Sequence, residues 1–416
     1  MTLPHLSRGE GPRVAIIGGS MAGLFAAISL RARGYSVRVY ERAKEELANR
    51  GAGIATHHGL HSALSDAGIE VRADMGVAST GRVLFEASGA VAGELDAPQL
   101  MTSWGLIYRL LRHQCDEGTY HGGFELRDVA RRGETLRARF ANGEEVECDY
   151  LIGADGARST VRQLVAPQAT LDYCGYFAWR GLLRENLLEP EVLPAFGERM
   201  ALNMAPGGHW LGYLVAGPDD ETSRGSRHYN WAWYRTADEN LYREHLTDET
   251  GRFFAHGIPH HLVRTKLIDV LHEQAHAQLA PVIQSVIDST EHPFLQGIYD
   301  VGCERLIHDR VILIGDAAFT ARPHVGLGVA KAALDATSLA RAFGDAAKME
   351  AWERERLAYG SAALAWSRDL GSHCGPAPTT DAGRAKAGQS QAPEVLLTET
   401  AATEPGRFLA RYSRTA

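Results

Sequence analysis

Residues 14–23 read VAIIGGSMAG, one letter short of two motifs that share the same strand, turn and helix frame. Read as G-x-G-x-x-G, the stretch has Gly18 and Gly23 but Ser20 in the middle position. Read as the nucleophile elbow G-x-S-x-G, it has Gly18 and Ser20 but Ala22 in the last. The flanks decide between them. Residues 14–18 are a short apolar run that predicts a buried strand, and residues 21–33 carry a helical apolar period with Gly34 as a left-handed stop. SVRVYER, residues 36–42, predicts a second strand, and Glu41 falls 18 residues after Gly23, where a carboxylate can accept a hydrogen bond from an adenosine ribose. A hydrolase has no use for that carboxylate. Glycines in the turn let the backbone approach a pyrophosphate, whose charge faces the helix N-terminus. Ser20 is small enough to stand in for glycine there.

The chain has 416 residues, 45% apolar and 23% charged, enough for two or three domains with cores of their own. A net charge of -8 without a Lys/Arg block excludes a nucleic-acid partner. Cys115, Cys148, Cys174, Cys303 and Cys374 are odd in number and lack a C-x-x-C, which points to reduced thiols and a cytoplasmic location. The longest uncharged run, residues 14–30, holds three glycines and two serines and is followed by Arg31 and Arg33, so no signal peptide or membrane span is expected.

Beyond the first unit, residues 136–156 alternate on both sides of Asn142-Gly143 and predict a hairpin followed by a strand ending at Asp155-Gly156. Residues 176–235 are rich in Trp and Tyr with Gly and Pro breaks, as antiparallel strands would be. Residues 262–279 are helical in period until Pro281, residues 310–318 predict another buried strand, and residues 329–343 a helix. After a last helix ending near Leu370, GPAPTTDAGRAKAGQSQAPE predicts a loose tail.

Two further segments carry chemistry. In LIGADGARSTVR, residues 151–162, Asp155 and Gly156 end a strand beside Arg158 and Arg162. In VILIGDAAFTARPHVGLGVAKAALDA, residues 311–336, Asp316 sits at a strand's carboxyl end, where it can accept hydrogen bonds from a polyol. Pro323 fixes a bend, and Gly326 and Gly328 clear space for a flat ring at the positive end of the helix that begins with Val329 and Ala330.

In this order and spacing, across most of the first 345 residues, the three segments resemble the single-component FAD-dependent aromatic hydroxylases of the p-hydroxybenzoate hydroxylase fold. The resemblance implies an α/β fold: a Rossmann-type FAD-binding domain (residues 1–75, 100–168 and 296–345), a discontinuous antiparallel-sheet substrate domain (76–99 and 169–295), and a C-terminal helix with a loose tail (346–416). It implies that Gly18, Gly19, Ser20, Met21, Ala22, Gly23 and Glu41 hold the AMP half of FAD, with Arg42, Arg109 in LIYRLLR, Ile54 in GAGI (residues 51–54) and Val129 near the cofactor. Asp155 and Gly156 would serve FAD and the nicotinamide, Asp316 the ribitol, and Pro323, Gly326, Gly328, Val329 and Ala330 the ring. NADH or NADPH is the implied cosubstrate, with O2 and a small aromatic substrate, and a homodimer the expected assembly. The implied chemistry is hydroxylation of a hydroxylated aromatic or N-heteroaromatic ring through a flavin hydroperoxide.

Within the family, GGS at the first turn, AWRGLL at 178–183, GHWLGY at 208–213, RPH at 322–324 and AKA at 330–332 resemble the dihydroxypyridine hydroxylases. Phe319 and Ala330 depart from the His and Asn of many relatives. In a strand, His209 and Tyr213 face one side, and they match a His and a Tyr of the pyridine hydroxylases' substrate pocket. The resemblance thus names His209 as base or proton relay and Tyr213 as its hydrogen-bonding partner. Asp300 and His324 read as structural.

Other readings stay open. LHEQAHAQL places His272, Glu273 and His276 in a full H-E-x-x-H, the zinc metallopeptidase signature, although the extension that would supply a third ligand is absent. Trp231 and Trp233 in NWAWYR approach a flavin halogenase motif, and a flavin reductase is a further alternative.

Overall fold

The computed structural model describes residues 11–47, 53–116 and 118–413; Gly51 and Ala52 of the GAGI stretch lie outside them. Strand Arg13–Ile17 lies within a six-stranded sheet in the order Ile307–His308, Val311–Leu313, Tyr150–Gly153, Arg13–Ile17, Ser36–Glu41, Tyr120–Gly122. Every pairing is parallel except the edge pair Ile307–His308 with Val311–Leu313. Parallel strands are covered on both faces, which is why Val14, Ala15, Ile16 and Ile17 are continuously apolar and all buried. Helix Met21–Arg31 packs along helix Gly328–Ala342, joining the first motif to the third. The Asn142-Gly143 turn closes the hairpin Thr135–Phe140 with Glu145–Cys148, Gly143 taking the left-handed φ of 89° that such turns require.

The second layer is a ten-stranded, largely antiparallel sheet whose strands alternate between two environments. Phe177, Trp179, Trp210, Trp231 and Trp233 face the helices Thr265–Gln278 and Pro281–Asp288 through Leu267, Leu271, Ile283 and Val286. Each buried indole removes roughly 150–250 Å² from water, which makes this face the anchor of the layer. Tyr176, Ala178, Leu211, Tyr213, Ala232 and Tyr234 occupy the other face. Pro281 opens a new helix at its first turn, where its missing N–H is not needed. Strands Val91–Ser103 and Phe294–Gly302 run across the domain boundaries expected from the sequence, because their pairing with Val77–Phe85 and Asp172–Arg184 continues past those points.

The loose tail expected beyond Leu370 is corrected by the structure. Helices Asp381–Ser390, Pro393–Glu399 and Pro405–Tyr412 form there, and Cys374, Leu396, Leu397, Phe408 and Leu409 are buried. The polar composition conceals what the segment rests on. Arg82, 1% exposed, donates from its two terminal nitrogens to the carbonyls of Leu397 and Ala401 at 2.7 Å each, and the Ala401 N–H donates to the carbonyl of His324 at 2.8 Å. Among the described residues no helix is long and apolar enough to cross a membrane.

Candidate active site

The first turn is as tight as its glycines require. Gly18 has φ 105°, and a Cβ there would lie 2.3 Å from the carbonyl oxygen of Ala154; a Cβ on Gly23 would lie 1.9 Å from the carbonyl oxygen of Gly18. Ser20 heads the helix Met21–Arg31, but its side chain caps no helical N–H, so the hydroxyl stays available toward the cleft it borders. The buried Glu41 carboxylate accepts from the N–H groups of Gly19 at 2.8 Å and Ala43 at 2.9 Å. Two carboxylate oxygens offer about four lone-pair sites, so capacity for a ribose hydroxyl remains. Gly18, Ser20, Met21, Ala22, Glu41, Arg42 and Gly156 border this cleft of about 470 Å³.

At its far end the strand Val311–Leu313 leads to Gly315, whose φ is 60°. Lys331 of the AKA stretch donates to the Gly315 carbonyl at 2.7 Å, while Asp335 accepts from the Gly315 N–H at 3.0 Å and from Arg356 at 2.7 Å. This buried network fixes the turn that presents Asp316. Burial raises the Asp316 carboxyl above its usual range, with Lys331 opposing. Its oxygens receive no hydrogen bond from any described residue, which leaves them as acceptors for a polyol chain. Asp316, Trp104, Arg158, Gly328 and Val329 border both the first cleft and a second cavity of about 420 Å³. Glu41 and Asp316 therefore open on one continuous channel, and its glycine turns, open carboxylate and helix N-terminus fit FAD.

The second cavity lies between residues 316–329 and the inner face of the large sheet. Ile54, Pro323 and Gly326 border it on the loop side, Arg180, Tyr213 and Tyr234 on the sheet side, and Thr400 and Ala401 of the tail close it. His324 also reaches the cavity, its Nε2 lying 2.8 Å from the Tyr176 hydroxyl. Burial, then the neighbouring His209, His373 and Arg322, holds its imidazole neutral well below the usual range. Three guanidinium groups, Arg158, Arg180 and Arg322, line the cavity against the Asp316 carboxylate. Burial raises the Tyr213 and Tyr234 hydroxyls, and the charge of Arg180 opposes this at both.

His209 shares the inner face with Tyr213, as strand parity requires, but lies behind the wall rather than on it. Its ring is 4.9 Å from that of Tyr234 and 5.2 Å from that of His324, and its Nδ1 is 3.0 Å from His373 Nε2. Tyr213 donates to the Gly53 carbonyl at 3.0 Å. Arg109 lies off the cleft because Asp220 pairs with its guanidinium; Trp104, on the same helix, borders the cavity instead. Val129 also lies off the lining, with Leu126 of the same strand in its place. The Asp155 carboxylate is taken up by Ser159 and by the N–H groups of Thr160 and Val161, capping a helix. Gly19, Gly23 and Ala330 pack beneath the surface, and Asp300 binds Arg322 and Arg368.

The competing motifs dissolve in the fold. His272 and His276 both bind Asp288, at 3.0 and 2.7 Å, with Glu273 exposed, so the zinc peptidase reading is withdrawn. Trp231 and Trp233 face the helices, away from the cavity, which removes the halogenase reading. Arg322 and His324 were within reach of the sequence through RPH, and Arg180 through AWRGLL. The tail residues His373, Thr400 and Ala401 carry no local signal.

A Rossmann-type loop, an open polyol acceptor and an aromatic-lined cavity on one channel define an FAD-dependent oxidoreductase. A family model described as FAD binding domain matches residues 12–183 and 259–370, and one described as FAD binding domain-like matches residues 173–300. The chain belongs to this FAD-binding family and is an FAD-dependent aromatic-ring monooxygenase using NAD(P)H and O2. It is 30% identical to 2,6-dihydroxypyridine 3-monooxygenase of Paenarthrobacter nicotinovorans, over 85% of this chain and 89% of that one. It is 25% identical to 6-hydroxynicotinate 3-monooxygenase of Pseudomonas fluorescens, over 80% and 82%. The solved structure of 2,6-dihydroxypyridine-3-hydroxylase from Arthrobacter nicotinovorans superposes with a TM-score of 0.82 at 29% identity, covering 89% of this chain and 95% of that one.

Proposed function

We propose that the substrate is a hydroxypyridine, bound as its ring anion in the cavity of about 420 Å³ and hydroxylated on carbon. The observation that carries this reading is the polar wall formed by Arg180, Tyr213, Tyr234 and His324 opposite the flavin loop. FAD, when bound, supplies the electrons drawn from NAD(P)H and the activated oxygen. Gly18, Ser20, Glu41, Arg42 and Gly156 would hold its adenosine half, Asp316 the ribitol, and residues 323–329 the ring.

The chain's own groups prepare the substrate. An ionised ring hydroxyl pushes electrons toward the carbon to be attacked, and the guanidinium groups of Arg180 and Arg322 favour that anion. Tyr213, fixed on the Gly53 carbonyl, shapes the pocket, and His209 acts as proton relay from the second row. Thr400 and Ala401 exclude water from the ring. A homodimer and a cytoplasmic location belong to the same reading. Five free thiols support the location, and sedimentation of the purified enzyme tests the assembly.

The test is a screen of hydroxypyridines and phenols for NAD(P)H oxidation coupled to hydroxylated product, using the yellow FAD-loaded enzyme. Coupled turnover with a hydroxypyridine is expected. Coupling with simple phenols alone overturns the substrate class. His209→Ala is expected to retain FAD and lose coupling, and unchanged coupling removes His209 from the mechanism.

A further inference from the structure

A buried polar atom without a partner costs about 1–3 kcal/mol, so its persistence requires a reason. Two such atoms sit on adjacent rings here. His209 Nε2 and His324 Nδ1 have no partner among the described residues, and their ring centroids are 5.2 Å apart. That spacing nearly equals the 5.1 Å between His209 and His373, which are joined by a 3.0 Å hydrogen bond. From His373 the line continues outward. Its Nδ1 is 2.8 Å from Ser390 Oγ, which lies 3.1 Å from Ser372 Oγ. Ser390, whose hydroxyl donates to the Ala387 carbonyl at 2.9 Å, borders a cleft of about 510 Å³ among the C-terminal helices that shares no lining residue with the substrate cavity.

We propose that His373 and Ser390 carry the proton of the substrate's ring hydroxyl from the buried cavity to solvent at this cleft. The inference rests on the hydroxypyridine reading above. The ring O–H bond breaks as His324 Nδ1 takes the proton, with His324 Nε2–H donating to Tyr176. Turning of the His324 ring delivers that proton to His209 Nε2. His209 then gives its Nδ1 proton to His373 Nε2, His373 gives its Nδ1 proton to Ser390 Oγ, and Ser390 turns its hydroxyl off the Ala387 carbonyl and releases that hydroxyl's proton to water at the cleft. Every relay group ends neutral, and the only net change is a ring anion inside and a proton outside. Ring rotation restores the starting tautomers.

Burial keeps the three imidazoles neutral at rest, His373 with its value lowered to about 4, so each holds one lone pair ready to receive a proton. Cys374 Sγ sits 3.7 Å from His209 Nδ1, and the two imidazoles with this thiol form a compact set of potential metal ligands. A metal on this set would take up the lone pairs that the relay uses, so the two roles exclude each other.

The experiment mixes FAD-loaded enzyme with 2,6-dihydroxypyridine in weakly buffered solution and follows proton release with an indicator dye, alongside kcat and KM. Wild type is expected to release a proton on binding. In His373→Gln that release and kcat should slow at least ten-fold with FAD content and KM unchanged. Ser390→Ala should slow release about three-fold, with Ser390→Thr restoring it. Release at the wild-type rate in His373→Gln overturns the relay. If that variant loses FAD, equal rates in Ser390→Ala and Ser390→Thr overturn it instead. One zinc per purified chain, lost in His373→Gln, would make His373 a metal ligand and also overturn it. A wild type that neither binds nor turns over 2,6-dihydroxypyridine refutes the substrate reading separately.

Discussion

At the adenosine end of the channel, Gly18, Ser20 and Glu41 come from one strand, helix and strand unit, and Glu41 reaches back 22 residues to the Gly19 N–H. At the ring end, His209 meets His373 across 164 residues, and Arg82 reaches the Ala401 carbonyl across 319. The first end works through backbone geometry, the second through side chains that the tail holds in place. Damage to the first is expected to abolish cofactor binding. Damage to the second is expected to leave a flavoprotein that wastes reducing equivalents.

The sharpest test of this division is Gly18→Val. Both the left-handed φ and the 2.3 Å approach to Ala154 forbid a side chain, so a loss at or above about 3 kcal/mol is expected. The variant should purify without flavin absorbance, if it folds; a yellow, active Gly18→Val would break the comparison outright.

Acid should act next most strongly, and at the ring end. Unfolded, His209, His324 and His373 protonate near the ordinary value of 6.5, whereas folded they stay neutral, His373 down to about 4. The unfolded chain therefore binds more protons in this window, and stability is lost as pH falls from 6.5 toward 4. Each group contributes up to about 1.4 kcal/mol per pH unit. Urea unfolding across this range measures the slope, and His373→Gln should remove about one proton from it.

Arg82→Met strands the Leu397 carbonyl and leaves that of Ala401 to Gln99 alone, a loss of about 1–3 kcal/mol concentrated on the tail. Limited proteolysis beyond residue 390 should accelerate and peroxide should replace hydroxylated product, while FAD affinity holds. A simultaneous loss of FAD would mean that the two ends are not separable. Glu41→Gln is the mildest change: FAD affinity should fall about ten-fold, or about 1.4 kcal/mol, in a flavin titration, with the coupling of bound enzyme unchanged.

This division also explains what the sequence can disclose. Ser20 could be read as a glycine substitute because the turn, helix and Glu41 lie within one short unit, and Asp316 stands out for the same reason. For His209 and Tyr213, strand alternation correctly predicts a shared face. It cannot predict depth, and the rings of Tyr234 and His324 place His209 one layer back. Arg109 and Val129 came from resemblance alone; in the fold Asp220 pairs with the Arg109 guanidinium, and Leu126 of Val129's strand borders the cleft. The tail was illegible because its buried contacts depend on partners such as Arg82 and His324, far away along the chain.

The Arg82 clamp has a consequence for how the molecule comes into being. A ribosome delivers Arg82 315 residues before Leu397 and 319 before Ala401, so through that interval of synthesis this guanidinium waits without those acceptors. The nascent polypeptide can thus complete its Rossmann unit and take up flavin before Thr400 and Ala401 arrive to finish the chamber for the aromatic ring.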